Sequence, residues 1–160
     1  MSNYKIEIKW AFVFICSLLL WSLIEKLSGF HDEHIAEHPI ISMFFMLPAV
    51  AIYIFALKEK KHKYYNGKVS FGQIFKTGLI ISMIIAIVNP GTQWIISNVI
   101  SPEYFTNAIK HTVEGGFDTL ENATSFFTYQ SYVVQGILFT LFMGLLTTII
   151  VGMFIKSEKE

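Results

Sequence analysis

The chain contains no arginine, and all twelve of its basic residues are lysine. Without the planar guanidinium fork there is no bidentate clamp for phosphate or carboxylate. No basic patch with interleaved aromatics lies outside the flanks of the apolar runs, so nucleic acid is not expected as a partner. A single cysteine, Cys16, excludes a disulfide framework and a cysteine-based metal box; it sits inside an apolar run, where core or lipid-facing filler is its expected role. No glycine-rich loop has phosphate-cradling spacing. The middles of the apolar runs hold no pair of carboxylates and no nucleophile with a matched base. This disfavours a proton-coupled transporter and an intramembrane protease, so the chain is not expected to be an enzyme or to carry a cofactor.

What is present is apolar. Residues of that kind make up 53% of the 160, and the mean hydropathy is +0.51. The pattern predicts one membrane domain over residues 1–160, an all-α integral membrane protein built as a four-transmembrane-helix bundle. The spans are expected at about 6–27, 40–57, 71–99 and 124–155. The last carries Gly136, Thr140, Gly144, Thr148 and Gly152 at every fourth position, and the third repeats that spacing with Gly78, Ser82 and Ala86. Small residues let backbones approach closely in lipid, so spans three and four are expected to pack through these faces.

The first apolar run ends in Trp21-Ser22-Leu23-Ile24-Glu25-Lys26 with no small-x-small cleavage site, so it is read as a retained span. Pro48 is expected to kink span two near its middle, and Asn89-Pro90-Gly91 to kink or break span three. Asn66-Gly67 marks a tight turn, and Ser70 offers a helix N-cap. Ser101-Pro102-Glu103 reads as the start of an amphipathic surface helix that Gly115-Gly116 stops. Asp118 and Glu121 resemble a capping box leading into span four. Asn122-Ala123-Thr124 matches a glycosylation sequon by chance.

Ten of the twelve lysines lie in the N-terminal segment, the middle loop with the start of span three, and the C-terminal tail; the other two connections hold only Lys26 and Lys110. Both termini are therefore expected to be cytoplasmic, with the surface helix extracytoplasmic, in a multi-pass protein of the bacterial inner membrane. The lysines at 58–63 are read as the topology determinant rather than as a headgroup site.

Two polar clusters fall near the outer boundary. Glu25, Asn89, Gln93 and Gln135 lie at a similar depth and could line a shallow polar cavity under the surface helix. The plainer alternative is a set of interhelical hydrogen bonds and hydrated helix ends, with Glu25 pairing with Lys26 or water. His31, His34 and His38 would share a face on a helix and are ligand types that zinc accepts. Against a metal, Pro39 draws His38 away from helical geometry, and a solvated loop explains the same residues. No metal is assigned on the sequence alone.

The run Glu25-Lys26-Leu27-Ser28-Gly29-Phe30-His31, with Phe44-Phe45, Pro48, Tyr53 and Ala56-Leu57-Lys58-Glu59-Lys60-Lys61, resembles a Bacteroidota domain-of-unknown-function family numbered four-one-nine-nine. Asn66-Gly67, residues 71–78, Asn89-Pro90 with Gln93, and Ile100-Ser101-Pro102-Glu103-Tyr104-Phe105 are similar to the same pattern. The resemblance implies a small four-span inner-membrane protein, with no catalytic residue to carry over. Two functions are expected from different classes. One is a non-enzymatic accessory or scaffold component in the lipid bilayer, self-associating or joined to a larger membrane complex. The other is a small-molecule or lipid-handling protein with an outward polar cavity.

Overall fold

A computed structural model describes residues 4–157, and among these every regular element is helical. The order is α1 (Lys5–Leu27), α2 (His38–Met43), α3 (Met46–Lys63), α4 (Phe71–Ile95) with a π-helical turn (Ile96–Ile100), α5 (Tyr104–Glu114), α6 (Leu120–Phe126) and α7 (Tyr129–Ile155). Four helical stretches are long and apolar enough to cross a membrane: Lys5–Leu27, His38–Lys63, Phe71–Ile100 and Tyr129–Ile155. The protein is thus an all-α, multi-pass membrane bundle with α5 as an added short amphipathic helix.

Helix α4 touches α1, α3 and α7, and its longest interface is with α7. That interface is the small-residue seam, run antiparallel. A β-carbon on Gly78 would overlap the Thr148 side chain, and one on Gly144 would overlap the hydroxyls of Ser82 and Tyr53. One on Gly136 would stand 2.9 Å from the Asn89 amide, and one on Gly152 3.2 Å from Ile74. Ala86 is buried and Thr140 half-buried along the same seam. In lipid there is little hydrophobic gain from bringing helices together, so the glycines act by admitting close dispersion contacts. The seam hydroxyls are satisfied locally. Thr148 donates to the Gly144 carbonyl at 2.6 Å and Ser82 to that of Gly78 at 2.9 Å, while Tyr53 donates to Ser82 Oγ at 2.7 Å and ties α3 to the seam.

The second span breaks earlier than its proline. Phe44 and Phe45 form a turn between α2 and α3, four residues before Pro48. Pro48 has no N–H to give the Phe44 carbonyl, and its ring crowds that carbonyl; Leu47 N bonds it instead at 3.1 Å, which tightens the chain into a turn. At Pro90 the third span neither breaks nor ends. It continues to Ile95 and then widens into the π turn, closed by Ser101 N to Ile96 O at 2.8 Å. The fourth span starts at Tyr129, after α6 and a break at Phe127–Thr128 where Thr128 caps α7. Asp118 is not the cap of α6. Thr119 takes that role by accepting from Asn122 N, and Asp118 accepts from Thr119 N and the Asn122 amide. Ser70 caps α4 in a reciprocal capping box with Gln73, and Asn66 and Gly67 form the positive-φ turn before it.

Four crossings bring both described chain ends to one end of the bundle. There Lys61 donates to the Ile155 carbonyl at the close of α7, and Ser157 N bonds Val69 O. Glu7 and Lys60 form a buried ion pair at 2.8 Å beside them, and Glu59 pairs with Lys9 and with Lys63. The opposite end is different in kind and carries four of the five histidines, His31, His34, His38 and His111.

Candidate functional site

Glu25 lies in the last turns of α1 and is only 5% exposed. The sequence reading paired it with Lys26 or water, but Lys26 turns outward to Asp32 at 2.5 Å, and Glu25 points into the bundle. The Lys26 ammonium holds the Asp32 carboxyl below its ordinary range. Glu25 Oε1 accepts from Trp21 Nε1 at 2.8 Å, one turn back on the same helix, and from Ser42 Oγ at 2.6 Å. Its other oxygen, Oε2, faces His31 Nε2 at 3.5 Å and His38 Nε2 at 3.7 Å.

The connection from Leu27 to His38 puts the two imidazoles there. Gly29 takes a positive φ of 81°, which reverses the chain. From there the backbone runs through i→i+3 turns, Asp32 N to Gly29 O, Ile35 N to Asp32 O and Glu37 N to His34 O. His31 ends up 3% exposed. His38 opens α2 with Pro39 in the first turn, so the proline orients His38 instead of displacing it. His34 is left exposed, packed on Phe30. Three imidazoles on one face required a helix, and this segment is not one.

The outer nitrogens of the two rings have hydrogen-bond partners of their own. His31 Nδ1 lies 2.5 Å from Ser101 Oγ, and the His31 carbonyl accepts from Asn107 at 3.0 Å. The π turn aims Ser101 inward, where it is 2% exposed; its hydroxyl is spent on His31, and α5 takes its cap position at Glu103 instead. His38 Nδ1 lies 3.1 Å from the Tyr104 hydroxyl, which in turn lies 3.1 Å from that of Tyr132. Burial, with Tyr132 alongside, pushes the Tyr104 phenol well above its ordinary range, so it keeps its proton and serves as a neutral hydrogen-bonding group. Helix α5 thus caps this end through Tyr104 and Asn107.

The other three residues of the expected cavity are not brought to Glu25. Asn89 is buried against Gly136 and donates to the Val133 carbonyl at 3.0 Å, an interhelical bond within the seam. Gln93 bonds Ser97 at 3.0 Å on its own helix, and Gln135 bonds Ser131 at 2.9 Å on an exposed face of α7. Each is one or two turns from an acceptor on its own or the facing helix, and that local bond wins over a shared cavity.

Trp21, Ser42, Ser101, Tyr104 and Tyr132 are site residues that sequence reasoning missed. Two of them carried a signal, because Trp21 precedes Glu25 by four and Ser42 follows His38 by four, the spacing of neighbours on one helix face. Glu25, His31 and His38 each offer one ligand atom, all within 4.8 Å of one another. The arrangement can share a proton among three bases or hold a cation between them.

Residues 9–157 match the family described as protein of unknown function (DUF4199). The chain belongs to that family. The match spans α1 through α7, so it includes the three ligand-bearing residues and the seam alike. No curated protein and no solved structure matches the chain.

Proposed function

We propose that the protein is a non-enzymatic component of a bacterial inner-membrane assembly, with both termini cytoplasmic, whose working part is the Glu25–His31–His38 cluster at its outward end. The lysine bias toward the end that holds the termini supports this orientation. One observation carries the assignment of the working part: a carboxylate and an imidazole, each no more than 5% exposed, are sunk into the end of a bundle that could close with apolar side chains. Burying such groups is unfavourable unless their polar atoms are met; here Trp21 and Ser42 meet Glu25, Ser101 meets His31, and Tyr104, backed by Tyr132, meets His38. The reading of a lipid- or solute-handling cavity loses support, because Asn89, Gln93 and Gln135 use their amides in separate local bonds.

The test is rescue of a deletion strain by variants that reach the membrane at the parent's level. Glu25→Gln and His31→Ala should fail to rescue, while Gln93→Ala and Gln135→Ala rescue fully. Full rescue by both Glu25→Gln and His31→Ala would remove the cluster from the function. A cysteine placed at Lys110, on the exposed side of α5, should react with an impermeant thiol reagent added to intact spheroplasts; labelling only after lysis would invert the orientation.

A further inference from the structure

We infer that Glu25, His31 and His38 form a binding site for one divalent transition-metal ion of the zinc class. The inference rests on the cluster being the working part, and it adds the ligand. The two Glu25–imidazole distances carry it. Charge-assisted hydrogen bonds draw their heavy atoms to about 2.7–2.9 Å. Here Oε2 stands 3.5 Å from one Nε2 and 3.7 Å from the other, although all three atoms converge in a buried space and the groups behind them are tightly bonded. Ligands at about 2.0–2.1 Å from a tetrahedral ion stand roughly 3.3–3.4 Å apart, so shifts of a few tenths of an ångström complete those two edges.

The surrounding bonds match what a metal asks of its ligands. A histidine that coordinates through Nε2 is normally oriented by a hydrogen bond at Nδ1, and a coordinating carboxylate by donors on its other oxygen. His31 Nδ1 has Ser101 Oγ, His38 Nδ1 has the Tyr104 hydroxyl, and Glu25 Oε1 has Trp21 Nε1 and Ser42 Oγ. The protons can also be arranged. Ser42 donates to Glu25 and so accepts from His38 Nε2–H at 3.0 Å, which makes Tyr104 the donor to His38 Nδ1. To bind through Nε2, His38 takes the other tautomer, with Nδ1–H donating to the Tyr104 oxygen while Tyr104 donates to Tyr132. The hydroxyls of Ser42, Tyr104 and Tyr132 each keep a partner in both arrangements. Two imidazoles and one carboxylate select a borderline transition ion over calcium or magnesium, which want a shell of oxygens. Ser42 Oγ or a water supplies the fourth ligand.

The experiment uses the full-length protein in nanodiscs, treated with chelator and then titrated with zinc, with bound metal counted by mass spectrometry and thermal unfolding followed in parallel. One zinc per chain is expected, with a rise in Tm that magnesium does not produce. Glu25→Gln and His31→Ala should lose the high-affinity ion, by about 100-fold or more, whereas His34→Ala and His111→Ala keep it. Because His31→Ala also removes a buried ring, Tyr104→Phe serves as the milder variant: it should fold and weaken zinc by about 10-fold through loss of the bond to His38. Absence of zinc above background in the parent overturns the inference, as does equal loss in His34→Ala and His111→Ala, which would mark surface adsorption. If zinc fails to bind while Glu25→Gln still fails to rescue, the cluster keeps its function and the metal is wrong. If zinc binds and Glu25→Gln rescues, the metal site stands and the functional reading falls.

Discussion

Helix α1 buries one carboxylate near each of its ends, Glu7 at 1% exposure and Glu25 at 5%, and the two are met in opposite ways. They are 18 residues apart, about five helical turns, and so lie on the same face of the helix, looking into the same bundle. Glu7 meets a lysine: Lys60 Nζ sits 2.8 Å from Oε1, and Oε2 has no hydrogen-bond partner among the described residues. Glu25 meets no lysine. Its Oε1 accepts from two donors, and its Oε2 faces two imidazoles at 3.5 Å and 3.7 Å. An ammonium neutralises a carboxylate and closes the site, because lysine has only donors to offer. Imidazole brings a lone pair as well, so the end that holds it can take up an ion or a proton. The comparison separates a carboxylate closed by an ammonium from one left facing two bases.

The largest effect expected is on both ends at once. Gly144→Leu drives a side chain into Ser82 and Tyr53, parts the seam that keeps the ends in register, and should leave no monodisperse protein on size-exclusion chromatography in detergent. Next comes the Glu7 end. Lys60→Met leaves Glu7 buried without its ion pair and should cost about 3–5 kcal/mol, read as a lowered unfolding midpoint, while any protein that folds keeps its zinc affinity. Glu25→Gln should cost less stability, about 1–2 kcal/mol, since an amide still accepts from Trp21 and Ser42, yet it removes zinc binding. If Lys60→Met were the variant that lost zinc, the division of labour between the ends would be wrong. The smallest effect belongs to Gln93→Ala, within about 0.5 kcal/mol and without change in zinc binding, because its amide serves only Ser97.

The spans and their seam could be read from the chain because both depend on local periodicity: apolar length marks a span, and a small residue at every fourth position marks a face. Gly78 against Thr148 and Gly144 against Ser82 follow from that spacing once the two helices run antiparallel. The site was legible only in part. His31 and His38 could be named as ligand types, and Glu25 as a suspect acid, but nothing local joins Glu25 to His31 across the reversal at Gly29. Whether a charge at a helix end turns to Lys26 or inward depends on a second partner, and Asp32 takes the lysine. His34 was grouped with the others by counting helical turns through a segment that folds as consecutive tight turns. Ser101 and Tyr104 were invisible as site residues, because a π turn and the docking of α5 are tertiary facts. Pro48 gave the correct kind of event, a disrupted helix, but its effect fell one turn upstream, where the ring meets the Phe44 carbonyl.

The central claim is that the end of the bundle opposite the termini presents two imidazoles and one carboxylate to a single metal ion. X-ray absorption at the zinc edge of the loaded, full-length protein measures this directly. The account predicts a four-coordinate nitrogen and oxygen shell at about 2.0–2.1 Å, with the outer-shell scattering of two imidazoles that falls to one in His38→Ala. An oxygen-only shell with no imidazole scattering would contradict it.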